Sequence, residues 1–388
     1  RKGNRLEMEL LHRLYAMTEG RLLLTSELNR MLAAEGLDAD KQQLQKWVEA
    51  GVKQKRLIVN YGIIEVQGDS GWGFMPKKTV KCLRCGSGEE SIRWSRCAKC
   101  KRSCPYCEAC LQMGKIRGCS VLIHGIPQYH EHSCSTIGKP SPVPEGSSSP
   151  QTLREAWGLS PAQADAASAA LRFVHARPFS PEPSMFLIWA VTGAGKTEMM
   201  FPLIDSVTKK GGRVCIATPR KDVVIELAPR LKERFPALST SVLYGGSDPT
   251  LHSPALTLAT THQLLRFQEA FDLVVIDEVD AFPFHNNNML NFAAERAVRR
   301  DGKRVLLSAT PPERLRRMAA KGRLPHVKVP CRFHGFPLPV PVLVQSGSSK
   351  RRWDKLVRCL DASLKRGAQL FLFVPKIGQT TGMVDALR

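Results

Sequence analysis

Three groups of residues in this sequence have the types and spacing to do chemistry. The first is Ala190-Val191-Thr192-Gly193-Ala194-Gly195-Lys196-Thr197-Glu198. It follows the apolar run 185–189 and precedes Met199, Met200 and Leu203. Strand, glycine-containing loop and helix therefore succeed one another as in a P-loop. Gly193 and Gly195 let backbone N–H groups turn inward around phosphate oxygens, and the helix N-terminus adds partial positive charge. Lys196 is expected to reach the β- and γ-phosphates of ATP, and the Thr197 hydroxyl to bind Mg²⁺. Thr192, Ala194 and Glu198 complete the nucleotide-binding stretch. Ala190 stands where the generic pattern has Gly.

The second group is carried by 271–280, a hydrophobic run that ends in Asp277-Glu278-Val279-Asp280. Asp277 is expected to hold Mg²⁺ through water, and Glu278 to position and polarise an attacking water. Lys196, Asp277 and Glu278 are thus the catalytic candidates.

The third group is cysteine. Of twelve cysteines, eight lie between Cys82 and Cys119. Their spacing is Cys82-x-x-Cys85, Cys97-x-x-Cys100 and Cys104-x-x-Cys107-x-x-Cys110, with Cys119 beyond. In a nucleotide-binding chain such turns point to metal thiolates rather than disulfides. Two C-x-x-C turns close one tetrahedral Zn²⁺ site, and Gly86 suits the tight turn after Cys85. The first-choice ligands are Cys82, Cys85, Cys107 and Cys110. Cys97, Cys100, Cys104 and Cys119 are the alternatives, and eight thiolates are enough for two ions. His124, His130 and His132 lie just beyond as minor candidates.

These groups must be positioned by an α/β framework. Ser160 and Pro161 open a helix, and Gln163 in its first turn lies just upstream of the P-loop, where its amide suits the adenine edge. Further buried strands are expected at 213–217, 241–244, 255–259 and 304–307. They end in Thr218-Pro219-Arg220-Lys221, Gly245-Gly246, Thr260-Thr261-His262 and Ser308-Ala309-Thr310. Ligands gather at the C-terminal edge of such a sheet, so these loops are candidates for a nucleic-acid backbone. The Ser308 and Thr310 hydroxyls are placed to bond the preceding acids. Segments 337–344, 349–365 and 369–374 read strand, helix, strand, the start of a second RecA-like lobe that stops at Arg388. The sequence opens with Arg1 rather than Met, as expected of a trimmed chain.

Residues 1–80 read as a small α+β adaptor. Helices are expected at 6–15, 28–35 and 41–51, and a strand or hairpin at 56–66, with a winged helix as the alternative. Residues 81–137 form the zinc module, 138–150 a Pro- and Ser-rich linker, 151–335 the ATP-binding lobe and 336–388 the partial second lobe.

With 388 residues, 43% of them apolar, the chain is long and apolar enough for real cores, which excludes wholesale disorder. No apolar run approaches the ~18–20 residues of a membrane span. The formal charge of +22 favours a polyanionic partner. Arg93, Lys99 and Arg102 sit near Trp94 in the cysteine module, a mixture suited to single-stranded nucleic acid: cations hold phosphates and rings stack on bases.

Taken in order, Gln163, the AVTGAGKT loop, Thr218-Pro219-Arg220, Gly245-Gly246, Asp277–Asp280 and Ser308–Thr310 resemble superfamily 2 helicases of the DEAD-box-like kind. With Ala281-Phe282-Pro283 after the acids, and Tyr106 to Cys110 before Met113-Gly114, the chain resembles the ComFA family of competence ATPases of Gram-positive bacteria. The resemblance implies a cytoplasmic motor at the inner face of the membrane, driven by DNA-stimulated ATP hydrolysis. It implies ComFC, other competence proteins and the ComEC channel as partners. Helicase families also close the ATP site with arginines from a second lobe, and no match to those motifs is found here. A PriA-like replication-restart helicase is one rival, but in those enzymes the cysteine cluster interrupts a later lobe, whereas here it precedes Gln163. A zinc-dependent DNA-binding ATP switch without turnover is the other.

Overall fold

A seven-stranded parallel sheet carries the nucleotide-binding residues. The computed structural model describes residues 2–37, 39–67, 78–128, 149–176, 184–247, 253–336 and 349–387, with 340, 341 and 343. Most of the expected linker, 138–148, and both His130 and His132 lie outside the described residues. The chain divides into a unit of residues 1–336 and a unit of residues 337–388.

The first unit begins with α1 (Lys2–Thr18), β1 (Leu22–Leu24), α2 (Thr25–Ala34), α3 (Lys41–Lys53), β2 (Leu57–Tyr61) and β3 (Ile63–Gln67). Asp40 caps α3 by accepting from Gln43 N–H at 2.7 Å. Leu14, Leu28, Leu32, Leu44, Trp47 and Leu57 meet in a core between the three helices. The cysteine segment adds β4 (Lys78–Cys82), β5 (Ile92–Arg96), β6 (Ser103–Cys107), β7 (Ile116–Arg117) and β8 (Val121–Gly125). Strand β8 then returns to sit between β1 and β2, antiparallel to both. The cysteine segment is therefore threaded between strands of the N-terminal sheet.

The strands within 57–67 do not form a hairpin. β2 pairs with β8, and β3 pairs with β4. They part at Gly62, where an added Cβ would stand 2.5 Å from Ile116 Cγ2. A hairpin partner is replaced by two different sheets because the chain at Gly62 packs directly on the cysteine module.

The lobe proper runs α4 (Pro150–Trp157), α5 (Pro161–His175), β9 (Ser184–Ala190), α6 (Lys196–Thr208), β10 (Val214–Thr218), α7 (Lys221–Arg234), β11 (Thr240–Leu243), β12 (Leu256–Thr260), β13 (Phe271–Ile276), α8 (Asn288–Ala297), β14 (Val298–Ser308), α9 (Glu313–Ala320) and β15 (His326–Val329). The sheet order is β11-β12-β10-β13-β14-β9-β15, every pair parallel. Alternation along the strands buries both faces. Phe186, Ile188, Val214, Ile216, Leu273 and Val275 pack with Ala167, Met199, Leu203 and Leu227. Leu187, Cys215, Ala217, Val274 and Ile276 face the other way, in a core that continues through Leu290 and Ala294 to Cys82, Cys85, Cys107 and Cys110.

In the second unit, α10 (Ser349–Leu364) supplies the expected helix, and α11 (Thr380–Leu387) follows. Residues 369–374, expected as a strand, carry no strand assignment and are exposed in part or whole. A strand needs a hydrogen-bonded neighbour, and its expected partner at 337–344 lies largely outside the described residues.

Candidate nucleotide site and metal centres

Parallel pairing brings the C-terminal ends of β9, β10, β12, β13 and β14 to one edge. At β9 the loop turns through Gly193 (φ 77°) and Gly195 (φ 73°), values open to glycine at little cost. Ala190 remains inside the strand, paired with Val329, so a Cβ is accommodated where the generic pattern has glycine. Lys196 Nζ donates to Ala190 O at 3.3 Å, and Thr197 is the next helical residue. Thr192 is exposed and Ala194 is buried. Glu198 forms an ion pair with Arg230 of α7 at 2.6 Å, which ties the P-loop helix to its neighbour.

Ser160 caps α5, and Gln163 closes the capping box: its Oε1 accepts from Ser160 N–H at 2.8 Å. Its Nε2 donates to Ala194 O at 2.9 Å. Gln163 is only 1% exposed. The side chain expected at the adenine edge latches α5 onto the P-loop backbone.

At the end of β13, Asp277 is pushed up to about 6 by burial, with Lys196 acting in the opposite direction. A divalent cation at this position would favour the charged carboxylate. Glu278 sits at φ 54°, and its N–H donates to Asp277 Oδ1 at 2.9 Å. Glu278 Oε2 is buried with no hydrogen-bond partner among the described residues. Asp280 accepts from Ser308 Oγ at 2.5 Å and from Thr310 Oγ1 at 2.6 Å, the expected contact between acids and hydroxyls.

The remaining loop candidates lie along the same edge. Thr218 pairs with Thr260 across β10 and β12. The Thr218 and Thr261 hydroxyls are buried without partners among the described residues. Arg220 is paired with Asp222, and Lys221 Nζ stands 4.7 Å from the Tyr244 ring centre. Gly245 and Gly246 are exposed. Burial holds His262 below the ordinary histidine range.

The cysteines resolve into two groups of four: Cys82, Cys85, Cys107 and Cys110, and Cys97, Cys100, Cys104 and Cys119. Within each, all four sulfurs lie within 4.8 Å of one another. Cys85 and Cys107 stand 3.4 Å apart, Cys82 and Cys110 3.8 Å, and Cys97 and Cys119 3.6 Å. A disulfide needs ~2.05 Å, whereas four sulfurs ~2.3 Å from one ion stand about 3.8 Å apart. The donor sets therefore fit a thiophilic cation. Each group contains the same turn. Gly86 N–H donates to Cys82 O, and Lys101 N–H to Cys97 O, both at 2.9 Å. Gly86 and Lys101 both have positive φ, 75° and 59°. His124 belongs to neither group; it is buried in β8, and burial lowers its pKa.

The first group is bound to the lobe. Arg296 of α8 donates through Nη1 to Leu83 O and Arg84 O, at 2.9 and 2.5 Å, and through Nη2 to Leu265 O at 2.7 Å. The Phe292 ring fills the space where a Cβ on Gly86 would go, 2.8 Å away. The second group faces outward with Trp94, 62% exposed, and the exposed Lys99 and Arg102. Arg93 is exposed too but paired with Glu108 at 3.1 Å. Neither Arg296 nor Arg332, which lies beside Gly193 of the P-loop, is marked by sequence spacing. Arg296 meets Leu83 and Arg84, and Arg332 meets Gly193, across more than 100 positions, which no local pattern reports.

Comparison with known proteins follows the same division. Residues 160–318 match the DEAD/DEAH box helicase family model. The sheet, the P-loop and the acidic strand end together define a helicase-type nucleotide-binding lobe of that class. Residues 9–124 match the Competence protein ComFA N-terminal domain, and the chain is similar to curated ComFA proteins. It is 38% identical over 309 residues to Competence protein ComFA of Bacillus subtilis, covering 78% of this chain and 62% of that protein. With Competence protein ComFA of Streptococcus pneumoniae it shares 34% identity over 289 residues, 73% of this chain and 61% of that one. The chain thus spans about three fifths of the length of these curated relatives. Replication restart protein PriA of Bacillus subtilis is 25% identical over 223 residues, 52% of this chain and 28% of that protein.

Proposed function

We propose that this chain is the ATP-binding and DNA-gripping part of a single-stranded-DNA-dependent motor that serves DNA uptake in natural transformation. The observation that carries the reading is the arrangement at one sheet edge. Lys196 and the P-loop amides suit a triphosphate, Asp277 and Thr197 suit Mg²⁺, and the unpartnered Glu278 oxygen suits an attacking water. Mg²⁺ supplies charge neutralisation at the phosphates. Glu278 orients the water and takes its proton, and Gln163, buried and bonded to Ser160 N–H and the Ala194 and Gly195 carbonyls, holds the P-loop.

Arg220, Lys221, Gly245, Gly246 and His262 then line a path for the phosphate backbone beside the ATP site, whereas Thr218, Thr260 and Thr261, expected with them, are buried at the strand ends and do not face it. Asp280, bonded to Ser308 and Thr310, links the acidic strand to the next loop. Zn²⁺ in the two thiol groups would shape a module whose outer face presents Trp94, Lys99 and Arg102 to single-stranded DNA. The cysteine module precedes Gln163, which supports the uptake reading over a replication-restart enzyme. No described helix is long and apolar enough to cross a membrane. Work beside a membrane channel such as ComEC, with ComFC as a partner, is therefore proposed as a peripheral association.

The test is ATP turnover with and without single-stranded DNA, on this chain and on a longer one with a complete second lobe. DNA stimulation is expected, and it should be stronger in the longer chain, where a second lobe can add arginines to the transition state. Turnover absent from both, with ATP and DNA still bound, would replace the motor with a switch.

A further inference from the structure

The segment after β15 lies against the P-loop. Val191 N–H donates to Val329 O at 3.1 Å, and Phe333 N–H donates to Gly193 O at 2.9 Å. Between those two bonds the chain places Arg332 on Gly193. A Cβ built at that glycine would stand 3.0 Å from Arg332 Nε and 3.5 Å from its Nη2. Arg332 Nε is buried and has no hydrogen-bond partner among the described residues. No described carboxylate pairs with its charge.

Only Nε is buried; the side chain as a whole is partly exposed, so the guanidinium fork can meet an anion held on the loop. The surface it covers is the backbone that cradles phosphate. It is not conjugated to the site through another side chain: it reaches the loop directly, from an element unrelated to α6 and Lys196. Arginine also suits phosphate better than lysine does, because its planar fork donates two parallel hydrogen bonds.

We infer that Arg332 is a second phosphate-binding cation of the nucleotide site, donating to the polyphosphate chain of bound ATP. The inference rests on the ATP-site reading above and deepens it. It supplies a cation from within residues 1–336, contributed by the segment that leads out of the lobe. Nucleotide would then tie the P-loop to that segment by side chain as well as by the Phe333–Gly193 backbone bond.

Binding of ATP and of inorganic tripolyphosphate is measured on the wild-type chain and on Arg332→Met, Arg332→Lys and Lys196→Ala. Methionine keeps the apolar stem over Gly193 and removes the charge. Arg332→Met is expected to weaken both ligands about tenfold, the loss of one charge-assisted bond. Arg332→Lys should lose about threefold or less, and the melting midpoint without ligand should not move. Wild-type affinity in Arg332→Met would overturn the inference. So would equal losses in the methionine and lysine variants accompanied by a lower ligand-free midpoint, which would mean packing alone. If the wild type binds neither ligand better than Lys196→Ala does, the ATP site itself is overturned, an outcome distinct from the other two.

Discussion

Arg296, in the helix that follows the acidic strand end, donates a 2.9 Å hydrogen bond to the carbonyl of Leu83, between two cysteines of the first thiol group. Its guanidinium also satisfies carbonyls of Arg84, Leu265 and Phe267. Burial lowers its pKa to about 10, which leaves it charged at neutral pH. One side chain thus joins the cysteine module to the helix after Asp277–Asp280. Arg296→Ala would strand several buried carbonyls, each costing ~1–3 kcal/mol. The expected result is a stability loss of at least ~3 kcal/mol in urea unfolding, with Arg296→Lys restoring little because one ammonium cannot span the same acceptors.

The two thiol groups predict two Zn²⁺ per chain. Cys82→Ser and Cys97→Ser should each leave one, counted by atomic emission after gel filtration. The consequences should differ. The first group is continuous with the core under the sheet, so Cys82→Ser should also lower the melting midpoint of the lobe. Cys97→Ser should leave it nearly unchanged. Removal of both ions by a chelator should reproduce the Cys82→Ser effect.

Glu278→Gln keeps the size of the side chain and removes its capacity to take a proton. In a turnover-competent longer chain, hydrolysis is expected to fall about 10²–10⁴-fold, the usual contribution of a positioned general base. ATP affinity should stay within about twofold, because phosphate contacts belong to the P-loop. Equal turnover in wild type and variant would remove Glu278 from the mechanism.

Glu27 is a buried hub. Its Oε1 accepts from Arg84 at 2.7 Å and from Arg266 at 2.9 Å, and its Oε2 accepts from Leu24 N–H at 2.9 Å. Burial opposes the charge, but Arg84 and Arg266 outweigh it and hold the pKa below the ordinary glutamate value. A depressed folded-state pKa means the stabilisation is complete above the unfolded-state value of about 4.3 and is lost as pH falls through the lower folded value. Glu27→Gln should cost ~3–5 kcal/mol at pH 7 by leaving buried cations uncompensated. The gap between wild type and variant should close on acidification below about pH 4, followed by denaturant unfolding across pH 3–7.

Trp94 is the exposed ring among the cations of the outer cysteine group. Stacking of one base contributes ~1–3 kcal/mol, so Trp94→Ala should weaken binding of an oligothymidine about 5–100-fold. Zinc content and melting should not change, since Trp94 lies outside both thiol groups. Unchanged DNA affinity would assign the module to another partner.

Local chemistry was legible before any fold. The P-loop and the acidic strand end are runs of contiguous residues, and contiguous residues in a strand–turn–helix can only present their amides and carboxylates in a few ways. The same locality made Ser160–Gln163 readable as a helix start. It also placed the loops at the C-terminal edge, because parallel strands share one direction.

What locality could not supply was partnership. The thiol groups interleave in sequence, one at 82, 85, 107 and 110 and the other at 97, 100, 104 and 119. Spacing left the pair Cys104–Cys107 as a rival to Cys107–Cys110, with Cys104 and Cys107 in one site. Antiparallel pairing in the cysteine module separates them: Cys107 sits opposite Ile92 and points into the core, while Cys104 sits opposite Ser95. Likewise 56–66 reads as a strand or hairpin until Gly62 packs on Ile116, and Arg296 and Arg332 are ordinary basic residues until Leu83 and Gly193 come beside them. A short-range pattern fixes which groups a chain can display. Long-range packing fixes which of them meet, because the energy of each meeting depends on a neighbour that sequence distance does not record.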